Sequence, residues 1–83
     1  MRNTRVRLNR NQPYLTWAAS RDDLGLGGYY VYREDELYAT LDNRARRFRD
    51  IEFEAETTYT YRVEAFDLAG NTASSPDVLI TTR

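Results

Sequence analysis

Cysteine, histidine and lysine are all missing from this sequence of 83 residues, and each absence removes a class of chemistry. Without cysteine there is no disulfide framework of the kind that small secreted domains rely on, and no thiolate metal site. Without histidine as well, Cys/His and Ser/His/Asp nucleophile arrangements fall away, along with nearly every zinc site. All 12 basic residues are therefore arginines, set against 13 acids for a formal charge of -1. That near-balance argues against a dedicated nucleic-acid binder, which carries a basic excess on one face. No apolar run approaches the ~20 residues that cross a bilayer. The start holds Arg2, Arg5, Arg7 and Arg10 but lacks the apolar stretch of a secretory signal. One domain fits in this length, and it buries only roughly 60 to 65 % of its unfolded surface.

What is present is alternation of period two, with no helical period over any useful window. In "TRVRLNR", Val6 and Leu8 alternate with arginines as a short half-buried strand. Asn9 to Pro13 is a turn, and Pro13 suits only the first residue of the next strand or an edge. "YLTWAAS" places Leu15 and Trp17 on one face, and "RDDLGLGG" follows as a loop. A strand from Tyr29 to Arg33 turns at Glu34-Asp35-Glu36 and returns through "LYATL" as a hairpin. "RFRDIEF" begins a further strand with Phe48 and Phe53 as burial points. "TYTYRVEAF" is the longest, with Tyr59, Tyr61, Val63 and Ala65 on one side and Thr60, Arg62, Glu64 and Phe66 on the other. "DLAGNTASSP" reads as a turn-rich loop, and "DVLITT" closes the chain. About seven short strands with turn signals between them predict an all-β, two-sheet antiparallel sandwich of immunoglobulin-like type.

At "LTWAAS", "DDLGLGGYYVYR", "TTYTYRVEAFDLAGNTASSP" and the closing "ITT", the chain resembles a fibronectin type III domain of the bacterial and phage kind. The resemblance covers roughly residues 14–82. It implies that Leu15, Trp17, Tyr29, Val31, Tyr61 and Val63 face inward, and with Phe53 and Tyr59 they make up the expected structural core. It also implies a tyrosine corner at Tyr59, whose hydroxyl bonds a backbone group near the start of the preceding loop. Residues 1–8 depart from the pattern, so they are either a short first strand or an N-terminal arm reaching to a neighbour. The loop that carries Arg-Gly-Asp in some animal members reads Leu68-Ala69-Gly70-Asn71, so integrin binding is not implied.

The strand "GGYYVYR" raises a question, because it carries tyrosines at both parities. With Tyr29 and Val31 inward, alternation sends Tyr30 and Tyr32 outward, beside Arg62 and Phe66. Such a face has the composition of a protein interface. Ordinary cross-strand pairing is the first explanation of the same residues, the interface the second, and a surface for stacking sugars the last. The arginines at 2, 5 and 7 belong either to a docking arm or, for Arg5 and Arg7, to the outward side of a strand. From Arg44, Arg46, Arg47 and Arg49 the charge switches to Asp50, Glu52, Glu54 and Glu56, a pattern that blocks edge-to-edge pairing or forms an electrostatic docking strip.

Paired carboxylates need a pocket that this small core does not offer, so no catalytic group is assigned. Asp22, Asp23 and Asp67 lack the ligand spacing of a calcium loop and read as turn formers, so no metal or cofactor is assigned. The expected function is a non-catalytic structural and protein-interaction module without nucleic-acid or membrane partners. With Met1 as native start, it is a small component of a larger assembly such as a phage virion, in a head-decoration or tail role. The alternative is an accessory or spacer module of a secreted polysaccharide-degrading enzyme or cell-surface protein, in possible contact with carbohydrate.

Overall fold

The computed structural model describes residues 4–18 and 25–83; Arg2 and the loop aspartates Asp22 and Asp23 lie outside the described residues. The strands are β1 (Arg5–Asn9), β2 (Gln12–Thr16), β3 (Leu26–Arg33), β4 (Glu36–Asp42), β5 (Arg47–Arg49), β6 (Thr58–Asp67), β7 (Thr72–Ser74) and β8 (Val78–Thr81). One sheet has the order β1-β2-β5, and the other runs β4-β3-β6 with β7 and β8 both on the far side of β6. The fold is the antiparallel sandwich that the alternation predicts.

The strand count differs in an instructive way. β7 pairs with Glu64–Phe66 and β8 with Thr58–Tyr61, so the two are halves of one edge strand. The break falls at Ser75-Pro76. Buried Ser75 uses both its backbone and its side chain on Val63, donating N–H to the Val63 carbonyl (2.8 Å) and accepting the Val63 N–H on Oγ (3.0 Å). Pro76 has no N–H with which to continue the ladder. The stretch read as a loop from Asp67 onward is thus largely a tight hairpin. Asp67 carboxylate oxygens accept from Ala69 N–H, Asn71 N–H and the Asn71 side-chain amide, and Gly70 takes the positive φ of 93° that the turn demands.

Pro13 lies inside β2, the central strand of its sheet, rather than at an edge. It is tolerated because it sits where the β2–β5 ladder ends: its carbonyl accepts the Asp50 N–H at 3.0 Å, and no donor is required of it there. Two hairpin turns, Arg10-Asn11 and Glu34-Asp35, carry positive φ at both central residues without a glycine. The second is held by β6, since Glu34 donates its N–H to the Thr60 carbonyl and accepts the Thr60 N–H on Oε1.

Leu15, Tyr29, Val31, Tyr61 and Val63 are fully buried, with Trp17, Tyr59 and Ala65 nearly so. Phe53 is half-buried and packs on the rim of this core, outside the position expected for it. The rings of Trp17 and Tyr29 meet at 5.5 Å, and Trp17 Nε1–H donates to the Ala45 carbonyl at 3.0 Å. Tyr59 makes the expected corner, its hydroxyl accepting the Glu54 N–H at 2.8 Å. The body measures 40 × 20 × 19 Å. β1 opens at one pole, level with Thr16 and Arg47. The last residues lie at the other, where the Asn11 side chain donates to the Arg83 carbonyl at 3.4 Å.

Candidate functional site

Strand alternation does send Tyr30 and Tyr32 to the outer face of the larger sheet. Their cross-strand partners there are Glu64 and Arg62, and Phe66 stands opposite Gly28. The rings form a continuous strip: Tyr30 stacks on Phe66 at 4.2 Å and 18°, Tyr32 meets Tyr30 edge-on at 6.4 Å, and the Arg62 guanidinium covers Tyr32 at 4.5 Å. Arg62 also pairs with Asp35 at 3.1 Å. The strip exists because Gly27 and Gly28 follow Leu26 at the start of β3. Phe66 lies so close to that backbone that a Cβ on Gly27 would come within 2.8 Å of its ring. One on Gly28 would collide with the Leu41 carbonyl oxygen. The second set of tyrosines therefore serves first as a cross-strand ladder, with one side of Tyr30 given to Phe66 and one side of Tyr32 to Arg62.

The other basic residues divide. Arg5 and Arg7 are outward residues of β1, paired with β2 inside the domain, so described residues 5–8 are a strand and not an arm. Arg46 turns back on the fold, donating from Nη1 to the Asn43 and Ala45 carbonyls.

At the other pole sits a feature that sequence reasoning missed. Asp50 is fully buried, and its carboxylate accepts from the Tyr61 hydroxyl (2.5 Å), the Tyr38 hydroxyl (2.7 Å), Arg33 Nη1 (2.9 Å) and Glu52 N–H (3.0 Å). Burial works to raise the Asp50 pKa, but the hydrogen bonds from Tyr38, Tyr61, Glu52 and Arg33 outweigh it and hold the carboxyl below its ordinary value. The same burial, with Asp50 as acceptor, pushes the Tyr38 hydroxyl up to about 12 and raises Tyr61 as well. Tyr38 reaches this carboxylate through a β-bulge: Val31 pairs with Ala39 but Tyr32 with Leu37, which leaves Tyr38 as the extra residue. Four donors saturate Asp50, so the cluster is a clasp between the sheets rather than a reactive centre.

No family model matches the chain. It is 40 % identical over 83 % of its length to exoglucanase B of Cellulomonas fimi, 38 % over 88 % to gellan lyase of a Bacillus species, and 41 % over 82 % to chitinase D of Niallia circulans. The match spans only 6 %, 3 % and 13 % of those proteins. In shape it is similar to part of pectate lyase PelI of Erwinia chrysanthemi, with TM-score 0.80, 25 % identity, and cover of 92 % of this chain and 27 % of that one. The spore cortex lytic enzyme SleM of Clostridium perfringens shares the fold, with TM-score 0.77, 20 % identity, and cover of 95 % and 26 %. The chain is a non-catalytic β-sandwich module.

The sequence of this module holds few signals of the Asp50 clasp. Asp50 carried one: it is the acid at which the run of arginines ends, directly after β5. Its burial had none, because it depends on how far apart the two sheets close.

Proposed function

We propose that this chain is a fibronectin type III module working as a non-catalytic spacer within a secreted polysaccharide-degrading enzyme. The observation that carries the reading is its 38 to 41 % identity, over most of its own length, to short segments of an exoglucanase, a gellan lyase and a chitinase. Shape supports it, since the first strand opens at one pole of a 40 Å body and the last residues reach the other. A chain that enters at one end and leaves at the opposite end separates its neighbours. The Tyr30, Tyr32, Arg62 and Phe66 face then serves as the surface on which an adjoining domain rests. These relatives favour the accessory module over the virion component, whose basis was Met1 and the single-domain length.

The test is an immunoblot of native culture fractions with an antibody to this chain. A large polypeptide in the medium, copurifying with polysaccharide-degrading activity, is the expected result. A species of about 10 kDa that sediments with particles would overturn it in favour of the assembly component.

A further inference from the structure

The outer face of the smaller sheet gathers arginines that are far apart in sequence. Arg7, Tyr14 and Arg49 form one cross-strand row, and Arg5, Thr16 and Arg47 the next. All four arginines are exposed while Leu15 and Phe48 point the other way, into or against the core. Among the described residues none of the four is ion-paired, and this face of β1, β2 and β5 carries no acid. The rows are spaced by two residues along the strands, roughly 7 Å, and the flanking strands stand about 10 Å apart across β2. The Arg7 guanidinium lies 5.4 Å from the centroid of the Tyr14 ring, which stands on β2 at the middle of the face.

We propose that this face binds a polysaccharide bearing carboxylates, with Arg5, Arg7, Arg47 and Arg49 gripping the acid groups and Tyr14 contacting a sugar ring between them. Charge complementarity names the occupant. The forked guanidinium matches a carboxylate with two parallel hydrogen bonds, and four unpaired like charges give the face a positive potential despite the chain's net charge of -1. The spacing of the arginines suits a polymer with separated charges. A nucleic acid presents one charge per ~1.7 Å, far denser than the roughly 7 to 10 Å that separates these arginines. The choice of a polysaccharide rests on the accessory-module reading above.

The experiment is native affinity electrophoresis of the 83-residue chain in gels containing polygalacturonate, a neutral dextran, or neither. Retardation by polygalacturonate alone is expected, weakening as salt is added. The double variant R7Q/R49Q is expected to lose about tenfold in affinity. R62Q, on the opposite face, is expected to keep it. Equal mobility in polygalacturonate and dextran overturns the proposal and leaves the arginines as guards of the edge strands β1 and β5. So does undiminished retardation of a folded R5Q/R7Q/R47Q/R49Q variant, or tighter binding of single-stranded DNA than of polygalacturonate in competition. A negative result beside a large secreted parent enzyme removes this proposal alone. Retardation beside a small particle-bound parent removes the accessory reading and keeps the anionic-polymer face.

Discussion

The hydroxyl of Tyr61, on β6 of the larger sheet, donates a 2.5 Å hydrogen bond to the carboxylate of Asp50, which directly follows β5 of the smaller one. Both residues are fully buried, so the bond joins the two layers through the interior. Tyr38 and Arg33 bring β4 and β3 to the same carboxylate. Asp50→Ala leaves these donors without an acceptor, and removal of one partner from such a buried charged network costs roughly 3 to 5 kcal/mol. Asp50→Asn keeps one acceptor oxygen and is expected to cost less. Urea unfolding of both variants checks this order, and an Asp50→Ala domain as stable as the parent would refute the clasp.

The same cluster sets the pH dependence. The folded pKa of Asp50 lies below its ordinary value of 3.8, so its contribution is present above that value and is lost as pH falls through the lower folded one. Tyr38 moves the opposite way, from 10.0 to about 12, so its contribution is full below pH 10 and disappears as pH rises towards 12. Tyr61 shifts in the same direction as Tyr38. Stability should therefore hold across the neutral range and fall at both extremes. Thermal melts of Tyr38→Phe are expected to show a shallower alkaline decline than the parent; identical slopes would mean that Tyr38 does not govern it.

Gly28 and Gly25 offer a matched pair. A Cβ on Gly28 meets the Leu41 carbonyl and the Phe66 ring, whereas one on Gly25 meets nothing within 4 Å and suffers only from φ of 80°. Gly28→Ala is expected to cost about 1 to 3 kcal/mol by overpacking, and to disturb the Tyr30–Phe66 stack. Gly25→Ala should cost about 1 kcal/mol through backbone strain. Denaturant midpoints that rank the two in reverse order would contradict the close approach of Phe66 to β3.

For the aromatic strip, the double variant Tyr30→Ala/Tyr32→Ala is expected to stay folded, because neither ring belongs to the core. Loss of the Tyr30–Phe66 stack should appear in a double-mutant cycle as a coupling of about 0.5 to 1.5 kcal/mol. In the accessory reading, the variant should also loosen an adjoining domain, which limited proteolysis of the parent polypeptide measures. Unchanged cleavage would reject this face as a resting surface and leave it a ladder that stabilises its own sheet.

Much of the fold was legible because its signals are local. The inward set of β6, from Tyr59 to Ala65, follows from alternation alone, and so does the outward placing of Tyr30 and Tyr32. The Tyr38 bulge was not legible, since nothing in "LYATL" marks the residue that pairs with none. The interrupted edge strand was hidden for a similar reason: Ser75-Pro76 reads as loop until Val63 is seen to take both its hydrogen bonds.

By itself the sequence determined the class of fold, the core-facing residues of the strands β2, β3 and β6, and the absence of cysteine and histidine chemistry, because each depends on residue type and on spacing within one strand. Register and closure of the sandwich decided the rest. They brought Arg5 and Arg7 across β2 to Arg47 and Arg49, and set Asp50 beneath Tyr38 and Tyr61. A net charge of -1 cannot show where the charges stand, and one buried acid among several exposed ones looks the same as its neighbours until two sheets close over it.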